Sequence, residues 1–339
     1  MPSSWKRSPL RQFLVPAVAV TAGLVLAAAL TPCVASQAAM SERAPDTPRL
    51  LGPGIISTGD NEFGPAFTPD GDTLFFCRTA PARTNFQAIL VSRRVNGAWR
   101  APDVAPFSGQ WKDLDPSISP DGKLLVFASN RPVAGAEPRK DYDLWAVSRE
   151  GAGWSAPRHL GPLVNSEGDE TTTSIASDGT LYLASTRAGG KGRRDLYVSR
   201  LVSGVYQAPE PIAALNTEFD DSNQYVAPDQ SFLVFASDRG LPGEKSAAPV
   251  SEFWISRRVD GAFGAPVKLS PAVNAGSPVL TPVLTPDGGT FVFATTRGTF
   301  DKPLGHRLTI HEMTAKFRAP GNGLGDLYEV DAAAAGVAK

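Results

Sequence analysis

A five-fold recurrence constrains this chain more than any other feature. An Asp of the form (S/T/A)-(P/S)-D-(G/Q) stands just ahead of a short apolar run that ends in Arg. The copies are FTPDGDTLFFCR (67–78), ISPDGKLLVFASNR (118–131), IASDGTLYLASTR (175–187), VAPDQSFLVFASDR (226–239) and LTPDGGTFVFATTR (284–297). Their Asp residues, Asp70, Asp121, Asp178, Asp229 and Asp287, are 51, 57, 51 and 58 residues apart. A repeat of this length made of short strands and turns predicts a propeller with one four-stranded sheet per repeat. The expected fold is all-β: a five-bladed β-propeller of four-stranded antiparallel blades.

The second repeat serves as the template. Its strands are expected at 116–120, 124–129, 143–148 and 154–160, with Asp121-Gly122 as the hairpin turn. Fourth strands share an Ala-Pro, at Ala101-Pro102, Ala156-Pro157, Ala208-Pro209 and Ala265-Pro266. Proline lacks an amide donor and suits an outer edge strand. The fifth repeat stops at Asp331 without a fourth strand, while Pro48-Arg49-Leu50-Leu51-Gly52-Pro53 parallels the fourth-strand segment Pro157-Arg158-His159-Leu160-Gly161-Pro162. The N-terminal segment is therefore expected to close the ring. The boundaries that follow are a secretory signal peptide at 1–38, a linker at 39–47, the propeller at 48–331 and a disordered tail at 332–339.

The signal reading rests on basic Lys6, Arg7 and Arg11, an apolar run over 13–30, and small residues through Ala39. Cleavage after Ser36 or Ala38 predicts a periplasmic or secreted chain with no transmembrane span left. An uncleaved anchor is the alternative, since 18 apolar residues is near the lower limit for a span. A lipid on Cys33 is less favoured, because Pro32 stands where a lipobox has a small residue. After cleavage only Cys77 remains, so no intramolecular disulfide is expected. Cys77 takes the place of Ala128, Ala184, Ala236 and Ala294 and reads as a small buried hydrophobe. A formal net charge of −1, with no long basic run after the N-terminus, argues against nucleic acid. A monomer is expected.

The pattern SPDG-x-x-L-x-F-A-S-x-R, a loop, D-L-W/Y-V-S-R and then G-x-W-x-x-P resembles the TolB-type, WD-like propeller repeat of bacterial exported proteins, over about residues 48 to 331. The departures are Ser177 for Pro and Gln230 for Gly. The resemblance implies a protein or peptide partner in the bacterial cell envelope.

Chemistry must come from recurrent charges. Eight positions before each turn Asp stand Glu62, Asp113, Glu170, Asp221 and, as the exception, Val279. On innermost strands these acids would gather at one channel mouth, thickened by Asp115, Asp169 and Asp220, with Trp111 placed to stack on a sugar. Such a ring suits a cation such as calcium, the basic group of a partner, or acid–base chemistry. The competing structural expectation is that each acid caps amides or pairs with a cation inside its own blade. The second recurrent charge is Arg78, Arg131, Arg187, Arg239 and Arg297, expected to pair with the acids that open third strands: Asp143, Asp195, Glu252 and Asp326. Trp99, Trp145, Trp154 and Trp254 are expected in the core. His159, His306 and His311 lack the H-E-x-x-H spacing, and no G-x-S-x-G, Walker-type loop or clustered Cys/His occurs, so no cofactor is expected. The longest insertion, 298–325, reads as a lid or docking surface. Non-catalytic binding is favoured. The alternative is a carbohydrate-active enzyme, a hydrolase or lyase using channel carboxylates.

Overall fold

The computed structural model describes residues 46–79, 86–133, 137, 139–240, 250–300 and 302–337. The signal segment and Cys33 lie outside the described residues. The described chain forms five four-stranded antiparallel blades in a closed propeller.

First strands run Asn61–Phe67, Asp113–Ile118, Glu170–Ile175, Asp221–Val226 and Val279–Leu284. Each packs on the first strands of its two neighbours, so these five line the central channel. Second strands (Thr73–Thr79, Leu124–Ser129, Leu181–Ser185, Phe232–Ser237, Thr290–Thr295) are almost wholly buried, which is why they read as continuous apolar runs. Third strands are Gln87–Val95, Asp143–Glu150, Asp195–Ser199, Glu252–Val259 and Asp326–Asp331. Aromatic pairs fill the space between sheets, as where Phe75 of the first blade meets Phe107 and Trp154 of the second. Trp99, Trp145 and Trp254 are buried and Trp154 partly so.

The fourth strand differs from the expected single strand. In the second blade it splits into Gly153–Trp154 and Arg158–His159, both paired with the same third strand. The first and fourth blades repeat the split around their Ala-Pro. The missing amide of proline breaks the ladder there.

Closure occurs as the repeat count demands. Arg49–Leu50 pairs with the last blade, Arg49 against Glu329 and Leu50 against Tyr328. Beyond it, the Leu51 amide donates to Leu327 O at 2.8 Å, and Ser57 Oγ exchanges bonds with the same residue. The tail differs from the disordered segment expected. Asp331 caps a one-turn helix at Ala332–Ala335, and Ala335 and Val337 are buried against the fourth and fifth blades. Small alanines and Val337 fill a gap at the blade seam, a packing role that no strand pattern advertises.

Each turn Asp does what hairpin geometry asks. One carboxylate oxygen accepts the amide two residues on, at 2.9–3.1 Å across the five blades.

Candidate functional site

The four recurrent acids sit on innermost strands, yet all are fully buried inside their own blades. Asp113 accepts from Ser108 Oγ at 2.8 Å, Ser129 Oγ at 2.6 Å and Arg131 Nη2 at 2.7 Å. Glu170 accepts from the Ser166 amide and hydroxyl, Ser185 Oγ and Arg187 Nη2. Asp221 repeats this with Thr217, Ser237 and Arg239. Glu62 does so with Thr58 and Arg78, whose Nε lies 2.8 Å from Oε1. Burial raises the Glu62 carboxyl above its ordinary range, opposed by the Thr58 bonds and Arg78.

The Arg residues thus have different partners from those expected. They pair with first-strand acids, not with Asp143, Asp195, Glu252 and Asp326. The recurrent acid and the recurrent Arg are two halves of one clamp. Each Arg also reaches a carbonyl in the connection arriving from the preceding blade: Ile56, Phe107, Val164, Leu215 or Val273. The clamp therefore ties first strand, second strand and inter-blade crossover together. In the fifth blade Val279 replaces the acid, and Arg297 bonds the Ala272 and Val273 carbonyls.

The third-strand acids have partners of their own. Asp143 lies 3.1 Å from Arg139 Nε and 3.0 Å from His159 Nε2, and Glu252 pairs with Lys268. Asp195 takes the Lys191 and Gly192 amides. Asp326 accepts the Gly321 amide, while burial first and the nearby Glu62 charge push it up to about 7.

The channel wall itself is built two residues further on. Every first strand breaks register in a bulge, and a residue with positive φ sits there: Gly64, Asp115, Thr172, Asn223 and Thr281. Three bonds join four of them in a row. Gly64 N donates to Thr281 Oγ1 (3.0 Å), Thr281 N to Asn223 Oδ1 (3.3 Å), and Asn223 N to Thr172 Oγ1 (3.3 Å). The Thr172 backbone amide favours the charged form of the Asp115 carboxyl. Gly64 has no side chain to accept from the Asp115 amide, and Cys77 supplies one: Asp115 N donates to Cys77 Sγ at 3.2 Å. Cys77 is fully buried, as expected, and burial drives its thiol well above the usual range. Among the described residues Asp115 Oδ1 has no hydrogen-bond partner. Burial pushes the Asp115 carboxyl up to about 6, with Arg194 opposing. Counting back six rather than eight positions from each turn Asp would have found this ring.

The other expected residues have separate surroundings. Asp220 is held by Arg194 through two bonds of 2.8 Å and by Arg193. Burial raises its carboxyl, but these guanidiniums outweigh that and hold it below the usual range. Arg193 and Arg194, unremarked in the sequence, line a polar cavity of about 320 Å³ with Asp220, Asn223 and Asp238. Asp169 accepts the Tyr142 amide, and Trp111 is half-buried. Among the described residues no three His, Cys, Asp or Glu side chains gather as a metal would need, and no helix is long and apolar enough to cross a membrane. The 298–325 insertion carries helix α1 (Ile310–Phe317), capped by Thr309 and Glu312, with no residue buried. Asn322 Nδ2 anchors the insertion to Gly59 O ahead of the first blade.

No family model matches this chain, and no curated protein matches it. Several solved structures are similar to it at low identity. A protein assigned as TolB from Agrobacterium tumefaciens is 18% identical, with a TM-score of 0.46 over 80% of this chain and 90% of that one. The catalytic domain of Coprinopsis cinerea GH62 alpha-L-arabinofuranosidase is 14% identical, with a TM-score of 0.46 over 85% and 98%. A puromycin-hydrolyzing peptidase of Mycobacterium tuberculosis is 15% identical, with a TM-score of 0.39 over 78% of this chain and 41% of its own. Their activities differ, and none passes to this chain at such identities.

Proposed function

We propose that this chain is an exported, non-catalytic propeller of TolB type that binds a protein or peptide partner in the bacterial cell envelope. One observation carries the binding reading: the recurrent carboxylates are spent inside the blades. Glycoside hydrolysis needs two working carboxyls, about 5–5.5 Å apart for retention or about 6.5–9.5 Å for inversion. Glu62, Asp113, Glu170 and Asp221 are each locked by an Arg and a Ser or Thr hydroxyl. Asp115, with its unpartnered oxygen, is a single group in the bulge ring.

Exposed apolar side chains on α1 suit the docking of a partner. Ile310 is 73% exposed and Phe317 54%, on an insertion fastened to the rim. Export is supported by the basic, apolar and small-residue order of the first 39 residues.

The test is cross-linking in an envelope fraction, followed by reconstitution of the identified complex from purified components. A saturable complex weakened by Ile310→Ser and Phe317→Ser is expected. Turnover of a polysaccharide by the purified chain, abolished by Asp115→Asn, would reverse the reading.

A further inference from the structure

The 298–325 insertion presents an apolar stripe that the described residues leave uncovered. Ile310 and Phe317 stand seven residues apart on α1, so two helical turns place them on one face about 10 Å apart. Phe300, 38% exposed, meets Phe317 edge-on with ring centroids 5.6 Å apart and widens the stripe. The platform is ordered before anything binds. Asn322 Nδ2 donates to Gly59 O and to Phe317 O, both at 3.0 Å, which ties the Phe317 end of α1 to the chain ahead of the first blade. Gly59 packs so closely on Arg318 O that a Cβ would not fit there. At the base of the insertion the Thr299 amide donates to Gly321 O at 2.7 Å. A surface held in this way gives up little loop freedom on association.

Charge decides what the stripe can meet. Lys302 and Arg307 precede α1 and are exposed, as is Arg318 at its end, and Lys316 is half-buried in its last turn. Among the described residues the insertion makes one ion pair, His306 with Glu312 at 3.5 Å, and these four cations make none. Glu312 is already engaged, since its carboxylate accepts the Thr309 amide at 2.8 Å and hydroxyl at 2.9 Å. Other long cations of the surface do find acids, as Arg49 does with Glu329 and Arg200 with Glu210. Uncompensated cations around an apolar stripe repel a basic surface and attract an acidic one. Interfaces have this build, with apolar anchors at the centre and charges around them.

We propose that α1 and its flanks dock an acidic segment of the protein partner. Large apolar side chains of that segment lie along Ile310 and Phe317, and Asp or Glu residues beside them pair with Lys302, Arg307, Lys316 and Arg318. The proposal rests on the partner-binding reading and names the chemistry of the partner's contact.

The probes are a short fluorescent peptide of Glu, Leu and Phe and its twin with Lys in place of every Glu. Anisotropy titration with the purified chain should give a Kd on the order of 100 µM for the Glu peptide, and at least about tenfold weaker binding for the Lys peptide. Raising the salt from about 50 mM to about 500 mM should weaken the Glu peptide about tenfold. Ile310→Ser should weaken it about threefold. Lys302→Glu combined with Arg307→Glu should invert the preference, so that the variant binds the Lys peptide more tightly. Both positions precede α1, where an acid suits the helix, and a gain of binding cannot come from misfolding. Equal affinity for the two peptides overturns the proposal, as does a Glu peptide that fails to bind or that the charge-reversed pair holds unchanged. Tighter binding to phosphatidylglycerol vesicles than to the Glu peptide, lost in the same variant, reassigns the surface to a membrane and also overturns it. A reconstituted partner complex indifferent to the charge reversal overturns this proposal alone, whereas cross-linking that yields no partner overturns the reading beneath it.

Discussion

Removing the Asp113 carboxylate separates a structural clamp from a ligand site. Asp113 is fully buried and accepts three bonds, and Arg131 is only 8% exposed. Breaking a buried ion pair from one side costs about 3–5 kcal/mol, because the remaining charge is stranded. Here Arg131 keeps the Phe107 carbonyl at 3.0 Å and the Phe127 ring 4.8 Å away, so the lower end applies. Asp113→Val should therefore lose about 3 kcal/mol, and Arg131→Met a similar amount. The double variant should lose about 3–4 kcal/mol rather than the sum, a coupling of about 2–3 kcal/mol. Urea unfolding followed by tryptophan fluorescence reads these values, with an unchanged m-value confirming the same cooperative unit. Asp113→Val within about 0.5 kcal/mol of wild type, the range of an ordinary surface change, would refute the clamp.

Asp326→Asn should stabilise the chain at pH 8 by about 2 kcal/mol. The folded carboxyl sits near 7, above its ordinary 3.8, so the native state holds a proton that the unfolded chain releases. Stability then falls as pH rises from 4 to 7, and the Asn variant should flatten that slope in thermal melts across pH. Asp115, pushed to about 6, has the same sign over pH 4 to 6, so a slope remaining there in the Asp326 variant should diminish with Asp115→Asn. Cys77→Ala should cost about 1 kcal/mol, the loss of the Asp115 amide's acceptor, and the native thiol should resist labelling until the chain unfolds. Gly64→Ala should cost more, since φ is +63° and a Cβ would stand 3.1 Å from Cys77 Sγ. A melting temperature unchanged by Gly64→Ala would contradict the bulge geometry.

Blade number, strand order and ring closure are legible because each depends on short local signals that recur. The turn Asp and the apolar second strand recur in all five repeats, and Pro-Arg-x-Leu-Gly-Pro recurs at 48–53 and 157–162. The clamp was half legible. Its acid and its Arg are both visible, but spacing alone does not join the Arg to the first strand rather than the third. Geometry decides for the first strand, which lies beside the second with Asp113 opposite Ser129, two residues before Arg131. The tail helix and the Arg193–Arg194–Asp220 cluster were not legible, because each occurs once and its partners are distant in sequence.

The departures from the repeat were individually visible and jointly hidden. Ser177, before its turn Asp, and Gln230, after its own, look like two independent lapses in two hairpins. In the ring their two hairpins are neighbours and bond each other. A proline at 177 would have no amide, whereas Ser177 donates to Pro228 O at 2.8 Å across the blade seam. Gln230, at φ +59° where other turns have glycine, holds Tyr182 Oη at 2.8 Å and Asp178 Oδ2 at 2.9 Å. Those bonds offset the backbone strain of a side chain at positive φ. Gly64 and Cys77 form a second such pair, the one residue surrendering a side chain and the other replacing its acceptor. In a closed ring every blade touches two others, so a change in one repeat is answered by a change in its neighbour or in the adjacent strand. Reading repeats one at a time registers both changes as noise, whereas reading them as contacts turns each pair into a seam that fixes where one blade meets the next.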